Sequence, residues 1–125
     1  MTSDEHALPL TRRQLEIWLA QATGRTGIEW QLGLFVKIGG MVQLDVLKRA
    51  IGQAVQEAEP TRAAFFELQG EVFQKLIDNP DIELDFYDLS RSDEPVQEAE
   101  TIASTMQCTP MALDGPLFRF AVFKT

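Results

Sequence analysis

Apolar positions along the chain recur with two periods, near 3.6 and at 2, in segments separated by Gly, Pro and Asx-rich turns. Leu15, Trp18, Leu19 and Ala22 share one helical face. Thr11 stands three residues before Gln14, the spacing of a capping box: the Thr hydroxyl accepts from the Gln14 N–H, and the Gln14 side chain accepts from the Thr11 N–H. Leu10 and Leu15 have the spacing of a hydrophobic staple. The pattern predicts a helix over 12–22, ended by Gly24. Leu32, Leu34, Val36 and Ile38 then alternate with Gly33, Phe35 and Lys37, which predicts a strand closed by Gly39-Gly40. Asp45 can cap a second helix, whose apolar face is Val46, Leu47, Ala50, Ile51, Ala54, Val55 and Ala58, with Pro60 as its stop.

Arg62 to Leu68 and Glu71 to Ile77 read as a hairpin about Gln69-Gly70. Asn79-Pro80 is a turn, and Ile82, Leu84 and Phe86 begin another strand. Ser92-Asp93-Glu94-Pro95 is a helix start with Asp93 as cap, followed by the stripe Val96, Ala99, Ile102, Ala103 and Met106. Asp114-Gly115-Pro116 is a turn before a last strand, Leu117 to Phe123. The predicted order is α, β, α, β, β, β, α, β. This is an α+β sandwich with helices covering a mixed or mostly antiparallel sheet. Residues 1–7 are polar and expected to be a flexible N-terminus, with one folded unit over 8–125. The last strand meets no closing turn, so the fold is expected to continue past Thr125. Its free apolar edge is expected to pair with a second copy.

Composition narrows the function classes. A chain of 125 residues is one domain, and 45% apolar with 24% charged residues is globular. Length and composition together lead us to expect a substantial core. Eleven Lys and Arg against nineteen Asp and Glu give a net charge of −8. Nucleic acid and anionic membranes select the opposite sign, so neither is an expected partner. No apolar run has the length of a membrane span, and Met1 to Leu10 lacks the features of a signal peptide. A cytoplasmic protein is expected.

Reactive groups are sparse. No nucleophile elbow, zinc helix, phosphate loop or dinucleotide fingerprint occurs. His6, the single histidine, reads as a solvated tail residue, and Cys108, the single cysteine, as a buried or half-buried structural thiol. Asp78, Asp81, Asp85 and Asp88 do not fit a calcium loop: the first two read as turn residues, and Asp85 as the outer face of a strand. Arg12-Arg13 read as a solvated helix start and Trp18 as core. No catalytic, cofactor-binding or metal-binding residue is assigned. The chain is then either a binding module or part of an enzyme whose reactive groups lie elsewhere.

Three segments together resemble the start of a condensation domain of nonribosomal peptide synthetases. Leu8 to Trp18 is similar to the opening motif S/T-x-A-Q-x-R-L-W, matching at Thr11, Gln14 and Trp18, with Ile17 for Leu, Arg13 for Ala and Glu16 for the usual Arg or Gly. Ala58 to Phe65 resembles R-H-E-x-L-R-T-x-F, matching at Glu59, Arg62 and Phe65. Glu57-Ala58, Thr61 and Ala63 are departures from it. Gly115 to Phe120 is similar to the PL-x-R strand, through Leu117 and Arg119.

The resemblance implies the N-terminal half of a chloramphenicol-acetyltransferase-like fold. With only seven residues before Leu8, it suggests a synthetase that begins with this domain. The parent would join carrier-protein-bound acyl or aminoacyl thioesters, delivered on phosphopantetheine arms, into amides. The catalytic motif H-H-x-x-x-D-G normally follows the PL-x-R strand, and this chain ends before it. The matched residues are therefore structural: Gln14 as helix cap, Trp18 as core anchor, and Arg62, on a central strand, as the ion-pair partner of the motif's Asp. Expected partners are carrier proteins and the remainder of the synthetase. A self-standing non-catalytic module of the same fold, or part of an epimerisation, cyclisation or acyltransferase domain, are the alternatives.

Overall fold

The structure is a computed structural model and describes residues 7–24 and 30–125. His6 and most of the polar N-terminus lie outside the described residues.

Leu8–Pro9 form a short strand, β1, which the periodicity does not signal. Helix α1 spans Arg12–Thr23 behind the predicted capping box: Thr11 N–H donates to Gln14 Oε1 at 2.8 Å, and Gln14 N–H donates to Thr11 Oγ1 at 3.2 Å. Helix α2 spans Leu44–Glu57. Gln43, not Asp45, takes its N-cap position. Asp45 lies inside the first turn, where a carboxylate still favours the positive helix end. A 3₁₀ turn over Glu59–Arg62 carries Pro60 at its start. Thr61 Oγ1 donates to the carbonyls of Ala58 and Val55 at 2.6 and 3.0 Å, fastening this turn to the end of α2.

Strands β2 (Ala63–Leu68) and β3 (Glu71–Leu76) form the predicted hairpin. Leu68 pairs with Glu71, which leaves a two-residue loop, and both its residues have positive φ: Gln69 at 52° and Gly70 at 81°. That is the turn whose twist matches flanking strands. β1 joins the far edge of β3, with Leu8 opposite Gln74. β4 (Leu84–Asp88) and β5 (Phe120–Lys124) pair in parallel, as strands joined across the helix α3 (Pro95–Gln107) can. Pro95 sets the start of α3, so Glu94 is its N-cap and Asp93 lies outside, contrary to expectation.

Instead of one sheet, the described strands form two: an antiparallel β1-β3-β2 and a parallel β4-β5. The strand expected over 32–38 is absent. Those residues are extended but bond no neighbour among the described residues, because alternation sets a conformation and only a partner makes a strand. Leu117 to Arg119 likewise precede β5 without joining it.

The core is thinner than expected. Among the described residues the buried apolar side chains are Val55, Ala63, Ala64, Leu89 and Ala99. Of α2's wide stripe, Val55 is buried and Leu47 and Ile51 are half-buried, while Val46 stays exposed. α1 buries nothing fully. Trp18 is half-buried, and Leu15 and Leu19 are exposed, so the expected core anchor is a flank.

Candidate functional site

The matched motif residues gather about the β2–β3 hairpin in two groups. In the first, Gln14 and Gln74 exchange amide hydrogen bonds: Gln14 Nε2 donates to Gln74 Oε1 at 3.1 Å, and Gln74 Nε2 donates to Gln14 Oε1 at 3.0 Å. Gln74 Nε2 also lies 3.2 Å from the Pro9 carbonyl. The Gln14–Gln74 pair thus holds α1, β1 and β3 together. Gln74 is not legible in the sequence, since a glutamine at a half-buried strand position carries no signal of its own. The Trp18 ring stands 6.3 Å from that of Phe65, tilted at 48°, so the first and second motifs meet there.

The second group centres on Arg62. It ends the 3₁₀ turn one residue ahead of β2, so it is not on a central strand as expected. It is nonetheless 9% exposed. Its Nη1 donates to the Ile77 carbonyl at 3.2 Å, and the Ile77 N–H donates back to the Arg62 carbonyl at 2.8 Å. Its Nε is buried with no acceptor, and no carboxylate pairs with it among the described residues. A buried guanidinium with a single carbonyl partner is costly, because the charge has lost its water without gaining a counter-ion.

Among the other matched residues, Thr11 is bonded to Gln14 through the capping box. Thr11, Glu59 and Arg119 are exposed, and Leu117 is half-buried. The segment leading to Leu117 is nevertheless tied in, since Phe65 N–H donates to the Leu113 carbonyl at 2.8 Å. Arg12 pairs with Glu16 at 3.4 Å on the solvated face of α1. Asp78, Asp81 and Asp85 are exposed as expected. Cys108 is exposed, contrary to the buried thiol expected: as the C-cap of α3 it falls beyond the packed stripe that ends at Met106.

One acidic group has a shifted equilibrium. Asp88 Oδ1 accepts from Ser90 Oγ at 2.6 Å and from Ser90 N–H at 3.1 Å. These bonds, with smaller help from Lys124 and Arg91, hold its carboxyl below the usual range. It is the last residue of β4, and the bonds from Ser90 close that end of the strand.

No three His, Cys, Asp or Glu side chains converge as metal ligands among the described residues. A shallow groove of about 250 Å³ runs between α2 and the β3–β4 connection, lined by Lys48, Ile51, Val55, Asn79, Pro80 and Ile82 among others. Its lining offers no thiol, imidazole or carboxylate. The geometry is that of a support with one uncompensated buried charge.

The family model that describes the condensation domain matches residues 4–125. The chain belongs to the condensation-domain family. Among curated relatives it is similar to a dimodular nonribosomal peptide synthase of Bacillus subtilis, 27% identical over 115 residues, which cover 91% of this chain and 5% of the relative. It is also similar to enterobactin synthase component F of Escherichia coli, 30% identical over 96 residues, covering 76% of this chain and 7% of that one. Among solved structures, the first condensation domain of the calcium-dependent antibiotic synthetase superposes with a TM-score of 0.85 at 26% identity, covering 94% of this chain and 32% of the other. The starter condensation domain of rhizomide synthetase gives 0.82 at 24%, over 94% and 30%. The fold is therefore the chloramphenicol-acetyltransferase-like fold of condensation domains. This condensation-domain chain spans less than a third of the solved chains it matches. No helix among its described residues is long and apolar enough to cross a membrane.

Proposed function

We propose that this chain is the N-terminal part, over 8–125, of a condensation domain in a cytoplasmic nonribosomal peptide synthetase. The parent joins two carrier-bound substrates. The amine of an acceptor aminoacyl thioester attacks the donor thioester carbonyl, a C–N bond forms, the C–S bond breaks, and the donor's carrier thiol is released with the proton. The phosphopantetheine arms belong to the carrier proteins and arrive as part of the substrates.

The observation that carries this reading is the buried, uncompensated Arg62, at the position of the family motif's arginine. Its missing counter-ion is read as the Asp of H-H-x-x-x-D-G, the motif that holds the catalytic histidine and does not occur in these 125 residues. The chain alone is then inactive, and Thr11, Gln14, Trp18, Glu59, Arg62, Phe65, Leu117 and Arg119 support the fold. Carrier proteins and the rest of the synthetase are its partners. Taken alone, the chain associates with itself through an unpaired strand edge.

The test is to read the coding frame past Thr125. An H-H-x-x-x-D-G within the next few dozen residues, and amide formation by the completed domain that is lost when its histidines are changed, are expected. A stop codon there would replace this reading with a non-catalytic interaction module. In the completed domain, Arg62→Ala is expected to cut soluble yield and lower the melting temperature. Wild-type melting would remove the ion-pair role.

A further inference from the structure

The C-terminal end of α3 is completed by a residue from far away in the chain. A helix leaves its last four carbonyls without partners inside it. In α3 these belong to Ser104, Thr105, Met106 and Gln107. Cys108 N–H donates to Ser104 at 3.1 Å, Thr109 Oγ1 to Thr105 at 2.8 Å, and Thr109 N–H to Met106 at 3.1 Å. The Gln107 carbonyl takes its partner from elsewhere: Gln31 Nε2 donates to it at 2.8 Å, across 76 residues of sequence. The same Nε2 donates to the Thr109 carbonyl at 3.0 Å, and Gln31 Oε1 accepts from Met111 N–H at 3.1 Å. Both N–H donors and the acceptor of one carboxamide are thus engaged.

The residues after Gln31 extend this contact. A Cβ on Gly33 would stand 2.8 Å from Gln107 Oε1, so the backbone there passes close against the last residue of α3. The Phe35 ring stands 6.1 Å from that of Phe123 in β5, and Phe123 in turn stacks on Tyr87 of β4 at 5.2 Å. Residues 31, 33 and 35 share one face of an extended chain. That face spans the two ends of the connection 108–119, from α3 to β5.

We propose that Gln31 is a positioning residue: its carboxamide locks the connection behind α3 and, with Phe35, sets where β5 enters the fold. This rests on the amide-forming reading above, in which the catalytic motif follows β5 and inherits its placement. Gln31 acts through β5 and touches no substrate. The role needs a carboxamide. Ionised Glu has nearly the same shape but no donor, and would set a carboxylate against two carbonyls. Met fills similar space and offers neither donor nor strong acceptor.

The test compares Gln31→Met with Gln31→Glu. In the 125-residue chain, NMR follows hydrogen exchange at the Cys108, Thr109 and Met111 amides. Gln31→Met is expected to speed exchange at all three by roughly tenfold while leaving the β2–β3 hairpin unchanged. Gln31→Glu is expected to speed Cys108 and Thr109 further. Unchanged exchange, or a Glu variant no worse than the Met one, would overturn the lock. In the completed domain, Gln31→Met is expected to lower kcat for amide formation roughly tenfold and leave KM for the carrier-bound substrates in place. Thr11→Ala, the control for lost stability alone, is expected to lower the melting temperature and spare kcat. An active domain whose kcat survives Gln31→Met, or falls equally with Thr11→Ala, would overturn the positioning role and leave the amide-forming reading standing. A wild-type domain that forms no amide would overturn that reading and the positioning role with it, while the exchange measurement still decides the lock.

Discussion

Arg62, Asp88 and Gln14 show how single side chains are used. Asp88 has its ionised form favoured by Ser90, so its folded equilibrium lies below that of the unfolded chain. Its contribution to stability is present above the unfolded carboxylate range and is lost as pH falls through the lowered folded value. Ser90→Ala removes the hydroxyl that donates to Asp88, so the Asp88 titration followed by NMR should move up toward an ordinary aspartate. An unmoved midpoint would shift the credit to the Ser90 N–H, which the substitution leaves in place. Gln14 serves both the cap and the Gln74 pair, whereas Thr11 serves the cap alone. Thr11→Ala should cost about 1 kcal/mol in denaturant unfolding, the usual worth of an N-cap side chain. Gln14→Ala should cost more. At this scale the sequence was partly legible. The capping box needs only spacing, and the structure has it. Gln74 depends on what the fold brings near, and no local pattern encodes that, whereas the Asp88–Ser90 link spans only two residues and is a local turn.

Among the elements, the β2–β3 turn makes the sharpest demand. Gly70 sits at φ 81°, a region that costs an L-residue roughly 1–2 kcal/mol. Gly70→Ala should destabilise by about 1 kcal/mol in chemical denaturation. Gly70→Asn, which tolerates this region better, should restore part of the loss. The hairpin was legible because both its turn and its alternation are local. The strand over 32–38 was misread for the opposite reason. Alternation in Leu32 to Ile38 specifies an extended chain with one apolar face, and the structure keeps that much. Pairing depends on a second strand, which no described residue supplies. Helix starts failed by one or two positions, at Asp45 and Asp93, where several polar residues compete and Pro95 decides one of them.

Over the whole molecule, apolar exposure and net charge oppose each other. A charge of −8 repels a second copy, while apolar side chains left in water, Leu32 and Leu34 above all, favour any contact that buries them. Lowering pH from 7 toward the isoelectric point near 4.5 removes the repulsion, so association measured by light scattering should strengthen across that interval. Added salt at pH 7 should act in the same direction by screening. Association that weakens under both changes would mean that ion pairs, and not apolar edges, hold the copies together. The fold class and family were readable from three short motifs in order. The division into two sheets and the thin core were not, because both depend on which strands find partners.

The two sheets also differ in how far apart their strands lie along the chain. β2 and β3 are joined by two residues, whereas β4 and β5 meet only after α3 has been traversed. Hairpins close within about 1–10 μs, but pairing across a long crossover first bears the entropy of closing that loop. Refolding should therefore be sequential, with the hairpin first and the Tyr87–Phe123 stack, 5.2 Å between centroids, among the last contacts to form. Until then β5 has no neighbour, and a chain still on a ribosome or newly diluted from denaturant offers its phenylalanines to any strand nearby.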